Sequence, residues 1–245
     1  MSGTLSDPGE AELPTTLPIF PLTGVLLLPR GKLPLNIFEP RYLNMVRDAL
    51  AGDRMIGMVQ PREDDPTTLT GPTTLTGPTT STGPAAGSAP ADQPPPAVYP
   101  TGCAGRITAF SEAEDGRFQI TLTGVCRFAI RAEVPSLRGY RRIVPDWDRY
   151  RADLVDDPAT IDRPRLVTAL KAFFRLNDIT ADWDSITATP DERLVTSLAM
   201  ICQFAPSEKQ ALLEARDLAE RSRVITALVE MAVLGRATAG DAARH

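Results

Sequence analysis

Apolar residues recur along this chain with two different periods. Up to about residue 147 they come in short runs of strand length. Beyond about residue 162 they recur at the three- and four-residue steps of a helix. LPIFPL (17–22), VLLL (25–28) and LPLNIF (33–38) are short apolar runs punctuated by Pro and Gly, and they predict three strands. PRYLNMVRDALAG (40–52) predicts a helix. Pro40 suits its first position, Tyr42, Met45, Val46, Ala49 and Leu50 share one face, and Gly52 suits the C-cap. RMIGMVQ (54–60) reads as a further strand.

TGCAGRITAF (101–110), RFQITLTG (117–124) and VCRFAIRAEV (125–134) continue the strand pattern, with Glu114-Asp115-Gly116 as a hairpin signal. Phe118, Ile120 and Leu122 alternate with Arg117, Gln119 and Thr121, the period of a half-buried strand. Gly124 is expected to separate the second of these strands from the third, and YRRIVPDW (140–147) reads as a last or edge strand. In the helical half, Leu166, Leu170 and Phe173 mark a helix over 163–177. Thr189-Pro190-Asp191-Glu192 and Ser207-Glu208-Lys209-Gln210 read as capping boxes opening two more helices. A fourth helix starts near Asp217, carries Leu218, Ile225, Leu228 and Val229, and is expected to end at Gly235. Strands first and helices second predict an α+β protein with a mainly antiparallel β half followed by a small helical bundle.

Residues 61–98 interrupt the pattern. TTLTGP occurs at 67–72 and 73–78, and TTSTGP at 79–84, with no aromatic residue between Pro61 and Val98. Such a segment buries too little apolar surface to offset the entropy of ordering it, so it is expected to be a disordered insertion within one β domain. Residues 1–16 and 236–245 are expected to be disordered tails, 17–147 the β domain and 148–235 the helical subdomain.

Composition narrows the chemistry. A formal net charge of -5 and a pI of about 5.1 disfavour nucleic acid and anionic lipid as partners. No stretch reaches the roughly 20 apolar residues that span a bilayer, and the acidic start does not resemble a secretory signal, so a cytoplasmic protein is expected. Cys103, Cys126 and Cys202 are odd in number and lack a CxxC spacing, which points to small buried apolar residues, without a disulfide or zinc knuckle. The one histidine is the final residue, His245. A Ser-His-Asp triad, a Cys-His dyad or a His-ligated metal site is therefore not expected within the chain. No cofactor or metal is expected.

The run LPIFPLTGVLLLPRGKLPLNIFEPRY (17–42) resembles the opening of the amino-terminal domain of Lon proteases. The matching pieces are Phe20-Pro21-Leu22, Pro29, and Pro34-Leu35-Asn36-Ile37-Phe38-Glu39-Pro40-Arg41-Tyr42. Thr101-Gly102, Gly124 with Arg127-Phe128, and Lys209-Gln210-Ala211-Leu212-Leu213-Glu214 agree with later pieces of that family. The resemblance covers most of 17–235 outside the insertion. It implies a PUA-like β-barrel followed by a helical bundle, which in the full proteases helps recognise unfolded or damaged substrates and supports assembly. The proteases' ATPase and Ser-Lys peptidase have no counterpart here: no G-x-x-x-x-G-K-[ST] occurs, and the only lysines are Lys32, Lys171 and Lys209.

The expectation is therefore a stand-alone, non-catalytic module that binds unfolded polypeptide or a protein partner, related to proteolysis and quality control. The alternative is an RNA-binding PUA-like module, which a stripe of Arg138, Arg141, Arg142 and Arg149 would favour. Candidate binding residues are Phe20, Leu22, Leu35, Ile37, Phe38, Glu39, Arg41, Tyr42, Arg127 and Phe128. The apolar members fill either the barrel core or a groove. Glu39, Arg41 and Arg127 form either an ion pair that holds the helix to the barrel or an anchor for a bound backbone. Trp147 and Trp183 are packing or interface residues. Asp182, Asp184, Asp191 and Glu192 lack the spacing of a calcium loop and read as solvated cap charges.

Overall fold

A computed structural model describes residues 13–62, 97–135, 138–155 and 160–242. Residues 63–96 of the insertion expected at 61–98, and the tail residues 1–12 and 243–245, lie outside them. Six strands form one mixed sheet: β1 (Leu17–Pro21), β2 (Lys32–Ile37), β3 (Met55–Val59), β4 (Thr101–Glu112), β5 (Phe118–Val134) and β6 (Arg141–Asp146). Their order is β2-β5-β4-β3-β1-β6, and β5 also pairs β6, which closes the sheet into a barrel. All pairings are antiparallel except β1 with β3. Between β1 and β3 the chain runs through β2 and α1 (Pro40–Ala51), the long crossover that a parallel pair needs. β2 bonds only to β5, so Pro34 sits on an edge, where its missing N–H costs no ladder bond.

β5 does what the sequence assigned to two strands. It runs unbroken through Gly124, which faces Gly105 at a register shift in the β4 ladder. A Cβ at Gly124 would lie 2.0 Å from the Leu28 carbonyl oxygen. The glycine therefore admits the close passage of another backbone and does not end the strand. Bending at this bulge and at the one between Ile130 and Ala132 lets a single 17-residue strand reach β2 and β4 at one end and β6 at the other.

VLLL (25–28) is not a strand. Val25, Leu26, Leu27 and Leu28 are all buried, in an extended strap without ladder pairing that crosses the barrel toward the helices. Burial on every side produces the same continuous apolar run as a fully buried strand does.

The helical half comprises α2 (Arg163–Leu176), α3 (Trp183–Ala188), α4 (Asp191–Ile201), α5 (Pro206–Glu214) and α6 (Leu218–Ala242). Four details differ from the sequence reading. Asp182 caps the short α3, which the periodicity did not show. Thr189 donates its hydroxyl to the Ser185 carbonyl at 2.8 Å and leaves Pro190 as the uncapped start of α4. α5 begins at Pro206, with Glu208 accepting from the Ala205 N–H at 2.7 Å, so Ser207 is not its cap. α6 opens at Asp217 as expected, but it continues through Gly235.

The main core joins both halves. Leu27, Leu28, Met45 and Leu122 of the β half share one cluster with Leu166, Leu170, Val195, Leu212 and Ile225 of the helices. A smaller cluster around Ile19, Phe128 and Ile143 fills the opposite part of the barrel, and Trp147 packs edge-on against Phe128 with ring centroids 5.8 Å apart. Leu13 packs against this cluster, and the Pro14 carbonyl accepts from the Trp147 indole at 3.2 Å.

Candidate functional site

The seam between barrel and helices holds the polar groups that the core does not absorb. The strap turns at Gly24, whose φ of 73° is a left-handed value suited to glycine. Its N–H donates to the Gln60 Oε1 at 2.9 Å, and Gln60 in turn donates to the Pro206 carbonyl at 3.2 Å. From the other side, Lys209 of α5 donates to the Gly24 carbonyl at 2.8 Å and the Met200 carbonyl at 3.4 Å. This ammonium is buried and has no carboxylate partner among the described residues. Burial lowers its pKa, and Cys202 nearby opposes the shift.

Above this floor lies a cleft of about 260 Å³. Its walls are mainly apolar: Val25, Leu26 and Leu33 from the β half, and Met200 and Phe204 from the α4–α5 connection. Ile201 stands at the same cleft, 79% exposed, which is unusual for a large aliphatic residue at the end of a helix that is otherwise well packed. An apolar cleft with a few fixed polar groups suits an apolar side chain with some backbone attached. Burial raises the Cys202 thiol above its ordinary value, the opposite of activation.

Arg127 forms the second node of the seam. It is 4% exposed and makes a bidentate pair with Asp153, at 2.7 Å from Nη2 and 2.9–3.2 Å from Nε. It also donates to the carbonyls of Leu213 at 3.0 Å and Ala215 at 2.5 Å, and it lies over the Tyr150 ring. Burial pulls its pKa down, but Asp153 outweighs that and the pKa stands above the ordinary value. One side chain of β5 thus ties the barrel to the 3-10 segment Asp148–Leu154 and to the end of α5.

The residues singled out from sequence separate into three places. Phe20, Ile37 and Tyr42 are core, and the Phe20 and Tyr42 rings lie 4.2 Å apart. Phe128 is core in the smaller cluster. Leu22 and Leu35 are half-buried against the main core, and Phe38 is 48% exposed. Glu39 and Arg41 pair with each other at 2.8 Å in solvent, and Arg41 also covers the Tyr42 ring. They do not meet Arg127, whose partner Asp153 was not foreseen. Asp153 is one acid among several in the polar stretch 146–162, and no periodicity marks it. Lys209 and the α4–α5 connection were visible only as part of a motif. The local signal was a lysine directly before an apolar helical face.

Other charges are engaged. Asp191 pairs with Arg163, which also donates to the Ile186, Thr187 and Thr189 carbonyls, and Glu192 pairs with Arg30 at 2.7 Å. Arg138 pairs with Asp48, Arg141 with Glu133, Arg142 donates to Thr16, and Arg149 lies over Tyr150. Among the described residues there is no group of His, Cys, Asp and Glu placed to hold a metal, and no helix long and apolar enough to cross a membrane.

Comparison with known proteins gives this architecture a family. Residues 16–230 match the model of the ATP-dependent protease La (LON) substrate-binding domain. Lon protease 2 of Myxococcus xanthus is 23% identical over 248 aligned positions, covering 94% of this chain and 25% of that protein. Lon protease 2 of Sorangium cellulosum is 23% identical, covering 87% and 24%. The chain thus spans about a quarter of the length of these curated relatives. Among solved structures, a Lon N-terminal domain protein from Xanthomonas campestris shares the fold at a TM-score of 0.53, with 21% identity, covering 87% of this chain and 98% of that one. The N-terminal domain of the Mycobacterium avium complex Lon protease does so at 0.55, with 14% identity and coverages of 87% and 97%. With the family match extending over barrel and helices alike, the chain belongs to the Lon substrate-binding domain family.

Proposed function

We propose that this chain is a non-catalytic binding module that takes up apolar segments of unfolded polypeptide or of a protein partner, in the service of protein quality control. The observation that carries the reading is the seam cleft, with its apolar walls and the exposed Ile201 beside it. A receptor for unfolded chains needs accessible apolar surface, and most soluble surfaces keep such patches small. The family match, and the Lon proteases among the chain's relatives, point the same way. Of the candidate residues, Leu22, Leu35, Phe38, Glu39 and Arg41 are accessible to a partner, outside the lining of the cleft itself. Phe20, Ile37, Tyr42, Arg127 and Phe128 hold the scaffold in this reading.

The test is an anisotropy titration of the full chain against a fluorescent, permanently unfolded polypeptide, with a structured RNA as control. Saturable binding to the polypeptide with weak salt dependence is expected. Ile201→Asp should weaken it by about tenfold, the loss of roughly one well-buried aliphatic contact, and should leave Tm unchanged. Binding untouched by that substitution removes the cleft from the reading. Binding to RNA alone, falling steeply with salt, transfers the protein to the nucleic-acid class.

A further inference from the structure

A second hollow in the seam differs in chemistry from the apolar cleft. It encloses about 60 Å³, close to the first turn of α6, and its lining carries four arginines against three carboxylates. Three of those arginines have counter-charges: Arg30 on Glu192, Arg127 on Asp153, and Arg216 on Glu220. The third carboxylate of the lining, Asp217, accepts from the Glu220 N–H at 2.7 Å as the cap of α6. Arg221 makes no ion pair of its own among the described residues, and the acids nearest it, Asp153 and Glu192, are already paired with Arg127 and Arg30. It is 7% exposed, and its one side-chain hydrogen bond among the described residues runs from Nε to the Leu212 carbonyl at 2.9 Å. Both terminal nitrogens of a buried guanidinium therefore lack an acceptor. Thr196 of α4 lines the same hollow, is also 7% exposed, and its hydroxyl has no hydrogen-bond partner among the described residues.

Unpartnered donors on a side chain this enclosed are uncommon, and the carboxylates that favour the Arg221 charge are shared with other arginines. Burial and the nearby Arg127, opposed by Asp153 and Glu192, bring the Arg221 pKa down to about 10, which still leaves it charged at neutral pH. The first turn of α6 already carries the Asp217 and Glu220 carboxylates, so the positive charge offered to an anion rests on Arg221. About 10–15 Å³ suffices for one water, so this hollow admits a group of a few heavy atoms.

We propose that the hollow is an oxyanion subsite that holds one carboxylate or phosphate group between the Arg221 guanidinium and the Thr196 hydroxyl. It is separate from the apolar cleft and does not depend on the reading of that cleft. The group comes either from a free anion or from the carboxylate end of a bound polypeptide.

The test is thermal melting of the full chain at constant ionic strength, with chloride exchanged for phosphate or acetate. Phosphate also stabilises proteins generally by exclusion from their surfaces, so the readout is the difference between wild type and variants. Wild type should show a saturable rise in Tm of roughly 3–6 °C at ten times the half-saturating concentration. Arg221→Gln should abolish the saturable part, and Thr196→Val should raise the half-saturating concentration about tenfold, the effect of losing one hydrogen bond to a charged group. If Arg221→Gln does not fold, the Thr196→Val comparison decides alone. A short peptide with a free C-terminus, run against its amidated form, separates the sources. A response to the free acid only assigns the site to polypeptide ends, and a response to phosphate regardless of peptide assigns it to free anions. Equal responses of wild type and variants to every probe overturn the proposal.

Discussion

Replacing Arg127 with Ala strikes the barrel–helix seam at its most buried ion pair among the described residues. Asp153, 8% exposed at its side chain, loses a bidentate partner, and the carbonyls of Leu213 and Ala215 lose their donors. The Tyr150 ring loses the guanidinium beneath which it packs. Breaking a buried ion pair by removing one partner typically costs about 3–5 kcal/mol, chiefly because the remaining charge is left desolvated and alone. In a chain of this size 1 kcal/mol corresponds to about 2–4 °C, so Tm should fall by roughly 6–20 °C. Urea denaturation followed by tryptophan fluorescence suits the measurement, because Trp147 and Trp183 report on the two halves separately. A second variant isolates the cause. In Arg127→Met with Asp153→Leu no charge is stranded, so the pair should recover a large part of the loss, less the cost of the orphaned Leu213, Ala215 and Arg216 carbonyls and of the residue 127 N–H, which loses its Asp153 acceptor. A single-variant cost below about 1 kcal/mol, or a double variant less stable than Arg127→Ala, would refute the view that this pair staples the halves together.

Three further expectations follow from the packing. Gly124→Ala should destabilise by about 1–3 kcal/mol or more, because its Cβ would meet the Leu28 carbonyl at 2.0 Å, and backbone cannot yield as a side chain can; a melting curve like wild type would refute the close passage. Excising 63–96 in favour of a short turn should keep Tm or raise it, since Pro61 pairs Val98 and Arg62 bonds the Ala97 carbonyl across the gap. Shortening a loop by three doublings returns about 2 kcal/mol of closure entropy at most, and a clear fall in Tm would show that the segment contributes to the fold. With an aromatic disulfide reagent at pH 8, Cys103 and Cys126 should stay inert until the protein unfolds, because burial pushes the Cys126 thiol up to about 12 and that of Cys103 well above its ordinary value; two thiols reacting promptly in the folded protein would contradict their burial.

The sequence by itself determined the class and most of the elements. Helix α1 carries its proline start, its apolar face and its glycine end within 13 consecutive residues, 40–52, so local rules suffice to find it. The alternation of Phe118, Ile120 and Leu122 likewise states which face of β5 is buried. The run from Leu17 to Tyr42 carried the family. Tertiary structure decided whatever depends on residues distant in the chain. Whether Gly124 breaks β5 or bends it depends on Leu28 passing 2.0 Å from the place of a Cβ, and nothing next to Gly124 encodes that approach. VLLL reads as a strand because a strap buried on all sides and a buried strand bury the same residues, and only hydrogen-bond pairing separates them. The partner of Arg127 is Asp153, 26 positions away, and not Glu39, because charge pairing is set by which surfaces the barrel and the bundle bring together. The cleft and the hollow exist only where those two surfaces meet. Side chains from the strap, β2, α4, α5 and α6 line them, and no local pattern records a void between elements that are far apart in sequence.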